Sequence, residues 1–309
     1  MKILIVGPGA MGCLFSARLF NAGQSVTLLD HNNKRADNIN RQGVVVQGVS
    51  GNYTARVPVI SKATGIEPDF IFICVKSGKT REAAESVKDV FAEKTLVATL
   101  QNGLGNVEIL KEIFNDKKVI GGITSEGATS LGEGKIRHAG KGHTTLGPEK
   151  IFGGALRNIV EILNEAGFST SSADNVDDLI WGKLIINAGI NALAAITGLK
   201  NGRLIENEYS LNIMEHAVEE AVSVSKAKNI NLPYDDPFEK VLEVCRDTSN
   251  NIASMLQDVL NRKFTEIDFI NGAICREGEN LGISTPVNQT LTNLVKTIQS
   301  NYDERIFNS

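Results

Sequence analysis

Cysteine is scarce in this sequence, and the four that occur are scattered. Cys13, Cys74, Cys245 and Cys275 form no CxxC pair. That speaks against a zinc site or a disulfide framework and suits small apolar fillers in a reducing cytoplasm. Surplus charge is missing too. A formal net charge of -4 over 309 residues gives no electrostatic footprint for nucleic acid or for an anionic membrane. No secretory leader is expected, because Ile3-Leu4-Ile5-Val6 follows a single lysine and runs straight into glycines, which is strand grammar. The most membrane-like stretch, Leu184 to Leu199, is short for a span and carries Asn187 and Asn191, so a buried helix is expected. Nothing resembles a P-loop or a nucleophilic triad. His138, His143 and His216 lack metal-ligand spacing, so surface or hydrogen-bonding roles suit them and no metal is expected. These exclusions leave a soluble cytoplasmic protein with a small-molecule partner.

What remains is a globular composition, 42% hydrophobic and 22% charged, in a chain long enough for two domains. Up to about residue 174, short apolar runs alternate with helical segments: Lys2 to Val6, Ser25 to Leu29, Gly43 to Gln47, Ala55 to Ile60, Phe70 to Val75, Thr95 to Leu100 and Val119 to Gly122. Such alternation predicts a doubly wound parallel sheet covered on both faces. The Gly-, Thr- and Ser-rich stretch 125–148 predicts hairpin-like strands closing the sheet edge. A helix over 155–165 and a short strand near 168–171 finish the domain. From about residue 175 long 3.6-period segments take over, with Pro233, Pro237 and Pro286 marking breaks and Gly282 a helix C-cap. The expected fold class is α/β plus all-α: a Rossmann-type domain over 1–174 and a helical domain over 175–309.

The segment Gly7-Pro8-Gly9-Ala10-Met11-Gly12 is G-x-G-x-x-G between a strand and a helix. One glycine makes the tight turn, the next lets backbone approach a pyrophosphate, and the third lets the helix pack close to the strand. The helix N-terminus then offers N–H groups to the phosphates. These six residues therefore read as cofactor-binding. Asp30 ends the second strand, where an acid holds the adenosine ribose and repels a 2′-phosphate, which points to NAD. His31, Lys34 and Arg35 follow at once. They could bind that phosphate, and the plainer reading of Lys34 and Arg35 is a solvated helix start.

Lys183, Asn187 and Asn191 recur every four residues and so form one stripe on a strongly apolar helix. Burying an ammonium there costs several kcal/mol unless partners compensate. By itself the stripe fits either a catalytic group or a core lysine paired to a carboxylate. The sequence resembles the ketopantoate reductase (2-dehydropantoate 2-reductase) family over nearly its whole length. The likeness rests on Gly7-Pro-Gly-Ala-Met-Gly12, Gln101-Asn102-Gly103-Leu-Gly105, the Trp181 to Thr197 helix, Asn201-Gly202, and Asn251 to Asp258 leading to Thr265-Glu266 and Asn271-Gly272. The resemblance implies a second domain like the C-terminal domain of 6-phosphogluconate dehydrogenase. It implies hydride transfer to a 2-keto acid, with Lys183 as general acid and Glu266 accepting a bond from the far hydroxyl while orienting the lysine. Asn102, Asn187, Asn191 and Asn201 match the family's site amides, Asn102 reaching the nicotinamide as well. Ser254 matches a carboxylate contact and Lys76 a cofactor-side lysine, although Lys76 also reads as a surface residue. The resemblance tips the cofactor slightly to NADPH, with NADH close behind.

Two other functions stay open. Asp30 keeps alive an NAD-dependent D-2-hydroxy-acid dehydrogenase of the same scaffold, acting on a branched or aromatic keto acid. A non-catalytic dinucleotide sensor is the other, and it has no use for a proton donor beside a substrate clamp. The long apolar helices suit either a monomer core or a homodimer interface.

Overall fold

The structure, a computed structural model, describes residues 1–305. The chain divides into two compact units. The first comprises Met1–Gln101 and Asn106–Val176, and the second comprises Asn102–Gly105 and the chain from Asp177 onward.

The strands of the first unit are β1 (Lys2–Val6), β2 (Ser25–Leu29), β3 (Val44–Gly48), β4 (Tyr53–Ala55), β5 (Val59–Ile60) and β6 (Phe70–Ile73), then β7 (Leu96–Thr99), β8 (Val119–Thr124), β9 (Gly127–Gly132), β10 (Lys135–Gly140), β11 (His143–Gly147) and β12 (Ser169–Ser172). Its helices are α1 (Ala10–Asn21), α2 (Asn33–Gln42), α3 (Thr80–Glu85), α4 (Asn106–Phe114) and α5 (Glu149–Glu165). Eight strands form one sheet in the order β12-β11-β8-β7-β6-β1-β2-β5. From β5 to β8 all neighbours run parallel, β11 runs antiparallel to β8, and β12 lies parallel to β11. Both faces are buried. Ile3 and Ile5 join Phe15, Phe72 and Phe168 in one core, while Leu4 and Val6 join Ile71, Ile73, Leu110 and Phe114 in the other. Burial on both faces is why these strands read as continuous apolar runs.

The stretch 125–148 departs from the expectation of a closed sheet edge. Only β11 joins the large sheet. β9 and β10 form a hairpin that pairs with β3 and β4 in a separate four-stranded sheet. Helix α1 packs against strands of both sheets, which explains why nearly every residue from Gly12 to Leu19 is buried. The single strand expected over 55–60 is two short ones in different sheets. Pro58 lies between them and has no N–H to continue a ladder.

The second unit is built from α6 (Val176–Thr197, whose first residue belongs to the first unit), α7 (Asn201–Leu204), α8 (Glu208–Ala227), α9 (Pro237–Asp247), α10 (Ser254–Leu260), α11 (Asn271–Leu281) and α12 (Pro286–Ser300). Helix α6 is long and apolar enough to cross a membrane. It is a core helix here, with Trp181, Leu184, Ile185, Ala188, Ile190 and Leu193 buried against α8, α9 and α11 residues. Asn271, fully buried, fixes it. Its Nδ2 donates to the Ala188 carbonyl and to Asn288 Oδ1, both at 3.0 Å. The carboxylate of Glu220 accepts from the N–H groups of Val287 and Asn288, where an acid complements the N-terminus of α12.

Candidate active site

Val6 is level with Leu29 on one side and Ile73 on the other, so the turns after β1 and β6 emerge together. The chain leaves β1 toward β2 on one flank, while β6 lies on the other. This is the switch point at which open α/β sheets bind ligands. At Gly12 a Cβ would lie 1.9 Å from the Gly7 carbonyl oxygen and 3.3 Å from Cys74 Cβ. The helix therefore packs against its own incoming turn at a distance only glycine allows. Gly9 is the opposite case. It is exposed, and a Cβ there would meet only the Cys74 carbonyl at 3.8 Å. Pro8, Ala10 and Met11 stay partly exposed around it. Gly9 caps α1 without a side-chain bond, and no acid occupies the first turn. Open backbone, free N–H groups and no negative charge fit a pyrophosphate. Lys76 stands exposed at the start of the turn after β6. Burial pushes the Cys13 thiol up to about 12 and that of Cys74 higher still, so both stay neutral fillers.

Asp30 directly follows β2, one residue past the strand end, and it is buried and ion-paired. Arg35 holds it with two hydrogen bonds, so the expectation of a solvated Arg35 is corrected. His31 and Lys34 are exposed.

In the second unit, Lys183, Asn187 and Asn191 follow one another along one face of α6. Asn191 is buried, and Lys183 and Asn187 are partly exposed. The turn before Lys183 is pinned by Tyr234, whose hydroxyl donates to the Gly182 carbonyl at 2.7 Å. The Lys183 ammonium itself is buried, and burial lowers its pKa from 10.5 to about 8, although the Glu266 charge acts in the other direction. Desolvation wins because moving a charge out of water outweighs one neighbouring carboxylate. Glu266 is 7% exposed, and its Oε2 accepts a long 3.4 Å hydrogen bond from Asn102 Nδ2. Lys183, Glu266 and Asn102 thus form one cluster.

Asn102 reaches this cluster because Asn102–Gly105 belongs to the second unit. The Leu104 N–H donates to the Phe269 carbonyl at 2.9 Å. Gly103, at φ +87°, passes so close that a Cβ would lie 2.1 Å from that carbonyl oxygen. On either side the chain is tied to the first unit. Gln101 Nε2 donates to the Val75 carbonyl and Thr80 Oγ1, and Asn106 Nδ2 donates to Ser77 Oγ. Sequence reading missed Phe269, the hydrogen bonds of Gln101 and the pairing of Arg35 with Asp30. Gln101-Asn102-Gly103 was visible as a motif, but its partners lie too far along the chain to be inferred.

Asn201 and Ser254 belong to segments of the second unit that the Asn201–Asn251 backbone bond joins. Asn201 is 8% exposed, its Nδ2 donates to Thr248 Oγ1 at 2.8 Å, and its N–H bonds the Asn251 carbonyl. Its Oδ1 is buried without a partner. Ser254, three residues beyond Asn251, is exposed at the first position of α10. The histidines take hydrogen-bonding roles: His138 Nε2 lies 2.5 Å from Glu126 Oε2, with both side chains buried, and His143 bonds Ser169 and Ser171.

Known proteins match along the whole chain. The profile of the family described as "Ketopantoate reductase PanE/ApbA" matches residues 3–150, and its C-terminal counterpart matches residues 175–299. A 2-dehydropantoate 2-reductase of Pyrococcus horikoshii is 35% identical over 301 residues, covering 97% of this chain and 98% of the relative. One from Archaeoglobus fulgidus is 33% identical over 300 residues, covering 97% and 98%. Among solved structures, a PanE/ApbA family ketopantoate reductase from Ralstonia eutropha superposes with a TM-score of 0.91 at 32% identity, covering 98% of this chain and 100% of that one. A D-mandelate dehydrogenase with NADH and anilino(oxo)acetate gives 0.90 at 26% identity, covering 99% and 100%. With both halves matched in order, this chain belongs to the ketopantoate reductase family of NAD(P)H-dependent oxidoreductases.

Proposed function

We propose that this protein reduces 2-dehydropantoate to (R)-pantoate, a step of pantothenate and coenzyme A synthesis, in the cytoplasm, with NADPH preferred and NADH close behind. The reading is carried by one observation: a buried ammonium with its pKa lowered to about 8, beside Glu266 and Asn102, on an apolar helix. Gly7 to Gly12 and Lys76 would hold the dinucleotide, which when bound would supply a hydride to the carbonyl carbon. Lys183 protonates the carbonyl oxygen as it gains charge. A donor whose pKa is near the working pH gives up its proton readily, and its positive charge first stabilises the forming alkoxide. Glu266 accepts from the distal hydroxyl and keeps the ammonium oriented. Asn102, Asn187, Asn191 and Asn201 are the amides around substrate, and Ser254 meets the substrate carboxylate.

The similarity to a D-mandelate dehydrogenase supports a second reading, reduction of an aromatic or branched 2-keto acid. Initial rates with NADPH and NADH against 2-dehydropantoate, 2-ketoisovalerate and phenylglyoxylate separate the two. The first reading expects the highest kcat/KM for 2-dehydropantoate, and a preference for phenylglyoxylate overturns it. Glu266→Gln should cost 2-dehydropantoate roughly 10- to 100-fold in kcat/KM, the worth of one hydrogen bond to a charged group. 2-Ketoisovalerate, which lacks the distal hydroxyl, should lose much less. Equal losses on both would remove the hydroxyl role of Glu266.

A further inference from the structure

An acid at the end of the second strand favours NAD because its free oxygens take the ribose hydroxyls and its charge repels a 2′-phosphate. Asp30 stands at that place with its oxygens already engaged. Arg35 donates from Nε to Oδ2 at 2.5 Å and from Nη2 to Oδ1 at 2.6 Å. The Asn32 N–H adds a third bond to Oδ1 at 3.0 Å. A carboxylate offers about four acceptor sites, so little is left for a pair of hydroxyls. The Asp30 side chain is also only 1% exposed. The Arg35 guanidinium is in the reverse condition. Two of about five N–H donors are spent on Asp30, and 38% of the side chain faces solvent. His31 and Lys34 are exposed beside it, and the first turn of α2 contains no acid. Beyond Asp30, the opposing charges that act here are Glu133 on Arg35 and Glu82 on His31, and Glu82 is itself held by Lys79.

We propose that Arg35 is the specificity-determining residue for the cofactor: by occupying both oxygens of Asp30 it withdraws the acid from the ribose, and its remaining N–H groups donate to a 2′-phosphate. This deepens the proposed function and rests on it for the dinucleotide. It inverts the reading of Asp30 drawn from the strand-end rule. Asp30 positions Arg35, and it does not act as the repelling charge until Arg35 is gone. A plainer role exists for the pair as a staple of α2, since Asn32 also caps that helix by accepting the Arg35 N–H. A staple affects both cofactors alike, whereas a selector separates them.

The test is direct binding, without a keto acid, read by the fluorescence of the reduced nicotinamide. Wild type should bind NADPH more tightly than NADH. Arg35→Met should weaken NADPH roughly 10- to 150-fold, the range for a lost charge-assisted bond, and leave NADH within a few-fold. Adding Asp30→Asn to Arg35→Met should recover part of the NADPH affinity by removing the unmasked charge. Arg35→Lys, which keeps the charge without the fork, should fall between and serves if the methionine variant fails to fold. Parallel losses for NADPH and NADH, or an unchanged ratio, would overturn the selector. A wild-type protein that binds neither dinucleotide would sink the reductase reading instead.

Discussion

Replacing Lys183 by alanine is expected to lower kcat for keto-acid reduction by about 10²- to 10⁴-fold, the usual worth of a positioned acid. Dinucleotide affinity should be nearly unchanged, because Lys183 is not among the glycine-turn residues proposed to hold the pyrophosphate. Arginine at 183 should not rescue the rate. It keeps a positive charge but does not release a proton near neutrality. The pH profile gives an independent check. The acid form of Lys183 is the ammonium, and its pKa is lowered to about 8. Reduction should be flat below that value and fall about tenfold per pH unit above it. The reverse oxidation needs the neutral amine and should rise over the same range. A rate for Lys183→Ala close to wild type, or a profile flat through pH 8 to 9, would remove lysine from the chemistry.

Gly12→Ala is the second large effect. Its Cβ would need to occupy space 1.9 Å from the Gly7 carbonyl oxygen, so α1 must retreat from β1. Helix α1 is packed against strands of both sheets, and overpacking of this kind costs about 1–3 kcal/mol or more. Displacing the helix also moves the N–H groups proposed to meet the pyrophosphate, and a shift of about 1 Å can cost on the order of 10²-fold. Gly12→Ala should therefore lose thermal stability and dinucleotide affinity together. Gly9→Ala is the control. Its Cβ meets nothing of the protein closer than 3.8 Å, so it should lose affinity at nearly unchanged Tm. A Gly12→Ala protein with native Tm and native affinity would show that α1 has slack against the Gly7 turn.

Much of the fold was legible because its signals are local. The apolar runs 2–6, 25–29 and 70–73 are strands since both faces are buried, and Gly282 closes α11 in a left-handed conformation. The division of the strands between two sheets was not legible. Whether β9 and β10 pair with β8 or with β3 depends on contacts about ninety residues apart in the chain, which no local pattern encodes. The site divides the same way. The Lys183 stripe follows from helical spacing, but Glu266 and Asn102 become its neighbours only through the long-range Phe269 contact. Asp30 was the instructive case. Strand-end position singled it out as a cofactor-side candidate, but nothing in a linear sequence shows that a salt bridge five residues on consumes both its oxygens.

The loan of Asn102–Gly105 to the helical unit bears on how such enzymes can be recombined. The chain crosses between units at 101/102, at 105/106 and at 176/177, so no single cut yields two self-sufficient halves. A chimera joined after Val176 would seat the Asn102 loop of one parent on the Phe269 and Glu266 positions of the other. The tight Gly103 approach would then have to be matched across the junction. Exchanging Asn102 to Gly105 along with the helical half keeps the Lys183, Glu266 and Asn102 cluster from a single parent, and that four-residue block is the piece domain-swapping designs should carry over.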